Sequence, residues 1–121
     1  MRKIVHLSDV HFGTADFAVA ELVIKKINAL GPDVVVVSGD LTQRARSVEF
    51  QQAKAFLERL PEPQIVIPGN HDIPLHNVFD RFFRPLDKFR RYITDDLRPV
   101  FLDDEIAIIG INTARSMTIK G

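Results

Sequence analysis

The sequence predicts an α/β fold with the element order β-α-β-α-β-α-β-β. Three observations predict it. Apolar segments at residues 3–8, 33–38 and 64–67 alternate with longer segments whose apolar residues recur at helical spacing. Glycine and proline mark the boundaries, with Gly31-Pro32 and Pro61-Glu62-Pro63 each closing a helical segment. The unbroken run Val34-Val35-Val36-Val37 suits a strand covered on both faces, as in a parallel sheet.

In the first strand, residues 3–8, Ile4, Val5 and Leu7 are apolar, and a loop at 9–15 follows with Gly13 as its flexible point. Asp16 is placed to cap a helix that runs to Leu30, with Ala20, Val23, Ile24, Ile27 and Leu30 on one face. The strand at 33–38 leads into a loop at 39–46. Ser47 is the expected cap of the next helix, Glu49 suits its first turn, and Phe50, Ala53, Leu57 and Leu60 form its apolar stripe. Residues 64–67 form the third strand, and 68–76 a loop. Residues 77–93 are expected to be helical in pieces, broken at Pro85, with Val78, Phe82, Phe83, Leu86 and Phe89 inward and Arg81, Arg84, Arg90 and Arg91 on a solvated face. Residues 99–102 and 105–111 read as a hairpin that turns at Asp103-Asp104.

The 121 residues suffice for a single domain spanning 1–121 and not for two. Sixteen basic and sixteen acidic residues cancel, so no electrostatic case exists for a nucleic-acid partner. Without cysteine there is neither a disulfide frame nor a thiolate metal site, in keeping with a reducing compartment. The apolar run at the N-terminus is too short for a signal peptide, and no segment approaches the roughly 18 apolar residues of a membrane span. The expected location is cytoplasmic.

The chemistry-bearing residues gather at strand ends. Asp9-Val10-His11 closes the first strand, Gly39-Asp40 the second and Gly69-Asn70-His71-Asp72 the third. Ligands bind at the carboxyl ends of the strands in an α/β sheet. Asp9 and His11, two residues apart, share a side in an extended segment and suit one metal ion. Gly39 lets the backbone turn so that Asp40 aims across the strand ends. Asn70 offers an amide oxygen to a second ion, His71 can protonate a leaving alkoxide, and Asp72 is placed to orient His71 and hold it cationic. Each pair alone is ambiguous: Asp-x-His can be loop solvation, Gly-Asp a turn and Asn-His-Asp a helix cap. Their conjunction, each after a predicted strand, favours a two-metal hydrolytic centre. Arg44 and Arg46 follow the second cluster, where an arginine fork can contact phosphate. Asn112 ends the last strand and borders the site; His6 reads as a core or face histidine and His76 as an exposed loop residue.

Asp9-x-His11, Gly39-Asp40 and Gly69-Asn70-His71-Asp72 resemble the first three motifs of the calcineurin-like metallophosphoesterases. The longer stretches at 7–13, 38–42 and 68–74 are most similar to the small bacterial branch that includes cyclic-nucleotide-type phosphodiesterases. The resemblance implies a β-sandwich flanked by helices, with this chain as its N-terminal half, truncated at the C-terminus. It implies a phosphodiesterase that uses a metal-bound hydroxide at a dinuclear Mn, Fe or Zn centre. Asp9 and His11 would bind the first ion, Asp40 would bridge, and Asn70 would bind the second ion and contact phosphate. His71 would act on the transferring group or the leaving group with Asp72 behind it; Arg44, read from its place after Gly39-Asp40 and not from the resemblance, is either a substrate-binding residue or part of a solvated loop. The family's later Gly-His and Gly-His-x-His motifs are absent, because the four histidines are His6, His11, His71 and His76. The alternative expectation is therefore a catalytically incompetent fragment that binds divalent metal or phosphate weakly, or half of an assembly completed by another chain. An uncovered sheet face would favour self-association.

Overall fold

Parallel neighbours need a crossover, and the two amphipathic helices supply it. The computed structural model describes residues 1–74 and 86–114. Strand β1 (Ile4–Ser8), helix α1 (Phe17–Leu30), β2 (Val34–Ser38), helix α2 (Ser47–Glu58) and β3 (Gln64–Ile67) follow in sequence. They build a three-stranded sheet of order β1-β2-β3. Both pairings are parallel, with His6 opposite Val36 and Val36 opposite Ile65. A short 3-10 turn at Asn70–Asp72, helix α3 (Asp87–Tyr92) and an antiparallel hairpin of β4 (Val100–Leu102) and β5 (Ala107–Ile109) complete the described chain.

The local signals hold at both ends of α1. Asp16 accepts from the amides of Ala18 and Val19 at 2.9 and 3.4 Å. Gly31 ends the helix at φ 58°, a left-handed conformation that glycine adopts without a Cβ penalty. Ser47 is not the cap of α2. Arg46 holds that position without a side-chain cap, and Glu49 reaches back from the first turn to accept the Arg46 amide at 3.3 Å.

One core fills the space between the sheet and the helices. Val35, Val37 and Val66 pack with Ile24 and Ile27 of α1, with Phe50, Ala53, Phe56 and Leu57 of α2, and with Phe89 of α3. Phe50 and Tyr92 stack at 6.1 Å and tie α2 to α3. Leu30, expected inside, is exposed at the end of α1. The central strand is covered on both sides, with Val34, Val35 and Val37 buried. Strand β1 alternates, so Ile4 and His6 lie on an exposed face, where His6 Nε2 meets Ser38 Oγ at 2.6 Å. Val100, Leu102, Ile109 and Ile111 are also exposed. Residues 75–85, with Val78, Phe82, Phe83, Arg81, Arg84 and Pro85, lie outside the described residues. Among the described residues, no helix is long and apolar enough to cross a membrane.

The hairpin turns where Asp103-Asp104 predicts, although β5 is shorter than expected. Asp103 Oδ1 accepts from the amides of Glu105 and Ile106, each at 2.8 Å. These bonds, Ile106 first and Glu105 second, hold its carboxyl below the usual aspartate value. A lowered folded pKa gives stability that is present above the unfolded pKa and lost as pH falls through the folded one. The amides of β4 and β5 are therefore expected to exchange faster at pH 3 than at pH 6 after correction for intrinsic rates, and Asp103→Ala should remove that difference. Hydrogen exchange on the two proteins checks both.

Candidate metal centre

Parallel pairing carries the loops after β1 and β2 forward together. Beyond the strands, the amides of Asp9, His11 and Phe12 donate to the carbonyls of Gly39, Asp40 and Leu41 at 3.4, 2.9 and 2.8 Å. The Gln43 amide returns to the Phe12 carbonyl at 2.9 Å, and Phe12 bridges Thr42 in parallel. This ladder sets the first two clusters side by side. The segment is not extended, as the side-sharing expectation for Asp9 and His11 assumed. Asp9, His11 and Asp40 have φ of 55°, 55° and 48°, and Gly39 has 76°. Left-handed backbone costs a non-glycine residue about 1–2 kcal/mol, and such strain clusters where function requires it.

The third cluster arrives on the 3-10 turn. The His71 amide donates to Asp40 Oδ1 at 2.9 Å, and Asp40 Oδ2 faces His11 Nε2 at 3.9 Å. Asp9 Oδ1 lies at the same 3.9 Å from that nitrogen. This is too long for a hydrogen bond. It suits donors that share an ion, because atoms each about 2.0–2.2 Å from a metal lie roughly 3–4 Å apart. One donor atom each from His11, Asp40 and His71 falls within 4.8 Å of the other two. His11 Nδ1 is buried with no hydrogen-bond partner in this structure. The set of carboxylate and imidazole donors fits a divalent ion. The His11 and His71 rings meet edge to face at 5.0 Å.

The proton position on His71 follows from its partner. Its Nδ1 lies 2.8 Å from the Gln43 carbonyl oxygen, which can only accept, so Nδ1 carries the proton and Nε2 is left for other chemistry. Asp72 is not the group that orients this ring. Its buried carboxylate accepts from the amides of Leu41, Thr42 and Gly69 at 3.2, 2.8 and 2.9 Å and from Thr42 Oγ1 at 2.8 Å. Burial pushes its pKa up, opposed by the hydrogen bonds from Gly69, Thr42 and Leu41. Asp72 joins the loop after β2 to the loop after β3.

The structure brings His11, Asp40 and His71 together and sets Asp9 beside His11 at 3.9 Å. Asn70 opens the 3-10 turn and, with Asp40 and His71, lines a cleft of about 410 Å³. Arg44 and Arg46 are exposed on the following loop. Asn112 turns its Oδ1 to the Ala114 amide at 3.0 Å, and it is Thr113 and Ala114 that line the cleft. His76 lies outside the described residues. Sequence reasoning missed the Gln43 carbonyl and the Thr42 hydroxyl. Nothing local marks the former, whereas the latter belongs to the quoted 38–42 stretch.

The calcineurin-like phosphoesterase family matches residues 2–120. The chain is 36% identical over 116 residues to the glycerophosphodiester phosphodiesterase GpdQ of Enterobacter lignolyticus (strain SCF1), covering 87% of this chain and 39% of that protein. It is 30% identical over 115 residues to a protein of Fibrobacter succinogenes (strain ATCC 19169 / S85) named "Probable cyclic nucleotide phosphodiesterase", covering 84% of this chain and 44% of that one. The chain thus spans less than half the length of these relatives. Its fold is similar to that of phosphopantetheinyl hydrolase (PptH) from Mycobacterium tuberculosis, with a TM-score of 0.54 and 20% identity over 91% of this chain and 41% of that one. This chain belongs to the calcineurin-like phosphoesterases.

Proposed function

We propose that the chain carries the early-motif part of a metal-dependent phosphoester hydrolase that acts on phosphodiesters. The observation that carries this reading is the placement of His11 Nε2 at 3.9 Å from the carboxylates of both Asp9 and Asp40, with His71 beside them. The relatives' names, glycerophosphodiester and cyclic nucleotide phosphodiesterase, support diesters as the substrate class. Asp9, His11, Asp40 and Asn70 would hold the metal of a dinuclear centre. The mixed oxygen and imidazole donors suit Mn, Fe or Zn. Bound metal supplies Lewis acidity and lowers the pKa of water. His71, with Nδ1–H fixed on Gln43, would donate from Nε2–H to the phosphoryl or leaving oxygen, a step for which the ring must carry a proton on both nitrogens. Arg44 would reach the substrate phosphate from the neighbouring loop, and Asp72 holds together the loops that carry Asp40 and His71.

Hydrolysis of bis(p-nitrophenyl) phosphate with added Mn²⁺ tests this. Asp40→Ala should lower turnover by about 100-fold or more, since even outer-shell losses at metal sites reach 10–100-fold. Equal, metal-independent turnover by the two proteins would refute the reading. A second reading is favoured by the exposed Val100, Leu102, Ile109 and Ile111. In it the chain binds metal or phosphate without turnover until another protein surface covers the hairpin. Mn²⁺ binding that requires Asp40, with no turnover from folded protein, would select it.

A further inference from the structure

Glu49 is an ionisable residue only 6% exposed, and the metal centre described above does not use it. Its Oε1 accepts the Arg44 amide at 2.9 Å. The Arg44 N–H belongs to the same peptide group as the Gln43 C=O, which receives His71 Nδ1–H at 2.8 Å. In a trans peptide these two bonds are rigidly coplanar and point in opposite directions. One plane is therefore held at both ends, by a carboxylate on its N–H and by an imidazole on its C=O. A carboxylate on the donor side also polarises the amide and makes its oxygen a better acceptor.

The surroundings keep Glu49 in place. A Cβ at Gly13 would collide with Glu49 Oε2, so the loop that carries His11 leaves room for this carboxylate. The Gln43 amide donates to the Phe12 carbonyl at 2.9 Å, which anchors the preceding peptide, between Thr42 and Gln43. Helix capping accounts for the 3.3 Å bond from the Arg46 amide but not for the shorter one from Arg44.

We propose that Glu49 is a positioning residue for His71, acting through the single peptide group between Gln43 and Arg44. It does the work that sequence adjacency suggests for Asp72. The proposal rests on the functional reading above only for what His71 then does; the hydrogen-bonded path stands without it.

The test reads the His71 ring nitrogens by ¹⁵N NMR on metal-free protein, at a pH where the spectrum itself shows a neutral ring. The wild type should show the Nδ1–H tautomer. Glu49→Ala should shift His71 to a mixture of tautomers and lower turnover of the diester by about tenfold or more, the scale of an outer-shell loss. Glu49→Gln keeps an acceptor oxygen for Arg44 and should retain the wild-type tautomer. A wild-type His71 spectrum in Glu49→Ala overturns the proposal, as does a Glu49→Gln spectrum as mixed as that of Glu49→Ala. If Glu49→Ala does not fold, Glu49→Asp, one methylene short of Arg44, takes its place with the same two outcomes. The ring signature needs neither metal nor substrate, so absence of hydrolysis would defeat the functional reading while leaving this result to stand.

Discussion

Asp72→Ala is expected to lower stability by about 3–5 kcal/mol, the range seen when one partner of a buried charged interaction is removed. The carboxylate is 1% exposed and serves the amides of Leu41, Thr42 and Gly69 together with the Thr42 hydroxyl. Each buried donor left unsatisfied costs about 1–3 kcal/mol, and water entering the vacated space recovers part of that. Domains of this size have total stabilities of about 5–15 kcal/mol, so the change removes a large fraction. Asp72→Asn keeps one acceptor oxygen but turns an NH₂ towards groups that all donate, and should fall between wild type and alanine. Urea unfolding measures the series. A loss below about 1 kcal/mol for Asp72→Ala would mean that these bonds do not hold the two loops together. The loss should also reach the site, because Asp40 and His71 lie on the loops that Asp72 joins.

The order of the elements and the convergence of the three clusters were legible, because each rests on a local signal that the parallel sheet then repeats. Asp40 and His71 are 31 residues apart, yet each follows a strand, and adjacent parallel strands bring their carboxyl ends together. Asp16 and Gly31 punctuate α1 as their residue types predict. Partners set by three-dimensional register were not legible. The Asp72 carboxylate and the His71 ring are adjacent in sequence, but the turn at Asn70–Asp72 sends one to Thr42 and the other to Gln43. Glu49 carries the signal of a first-turn acid, and only the fold of the 39–46 loop reveals its second bond, to Arg44. The left-handed Asp9 and His11 were also hidden, since in a single sequence an Asp-x-His pair reads equally well as extended.

Gly69→Ala is expected to disable the site through one methyl group. A Cβ there would overlap the backbone nitrogen of Asp40 as well as its carboxylate. Gly69 has φ −112°, which alanine adopts readily, so the obstacle is the close approach and not the conformation. A side chain could swing aside, but this nitrogen cannot. The Gly39 amide is bonded to the Ile67 carbonyl at 3.0 Å, and the Asp40 carbonyl accepts from His11 at 2.9 Å. Overpacking of this kind costs about 1–3 kcal/mol. Relief requires the two loops to part, which would break the 2.9 Å bond from the His71 amide to Asp40 Oδ1 and turn Oδ2 away from His11. Mn²⁺ affinity should then fall by about tenfold or more. Gly31→Ala is the matched control. Nothing lies within 4 Å of a Cβ there, but φ is 58°, so it should lose about 1 kcal/mol of stability and leave Mn²⁺ affinity unchanged. Titration calorimetry on the two variants separates the explanations. If both lose affinity alike, general destabilisation is the cause; if Gly69→Ala alone loses it, the contact between the Gly39-Asp40 and Gly69-Asn70 turns is what shapes the metal centre.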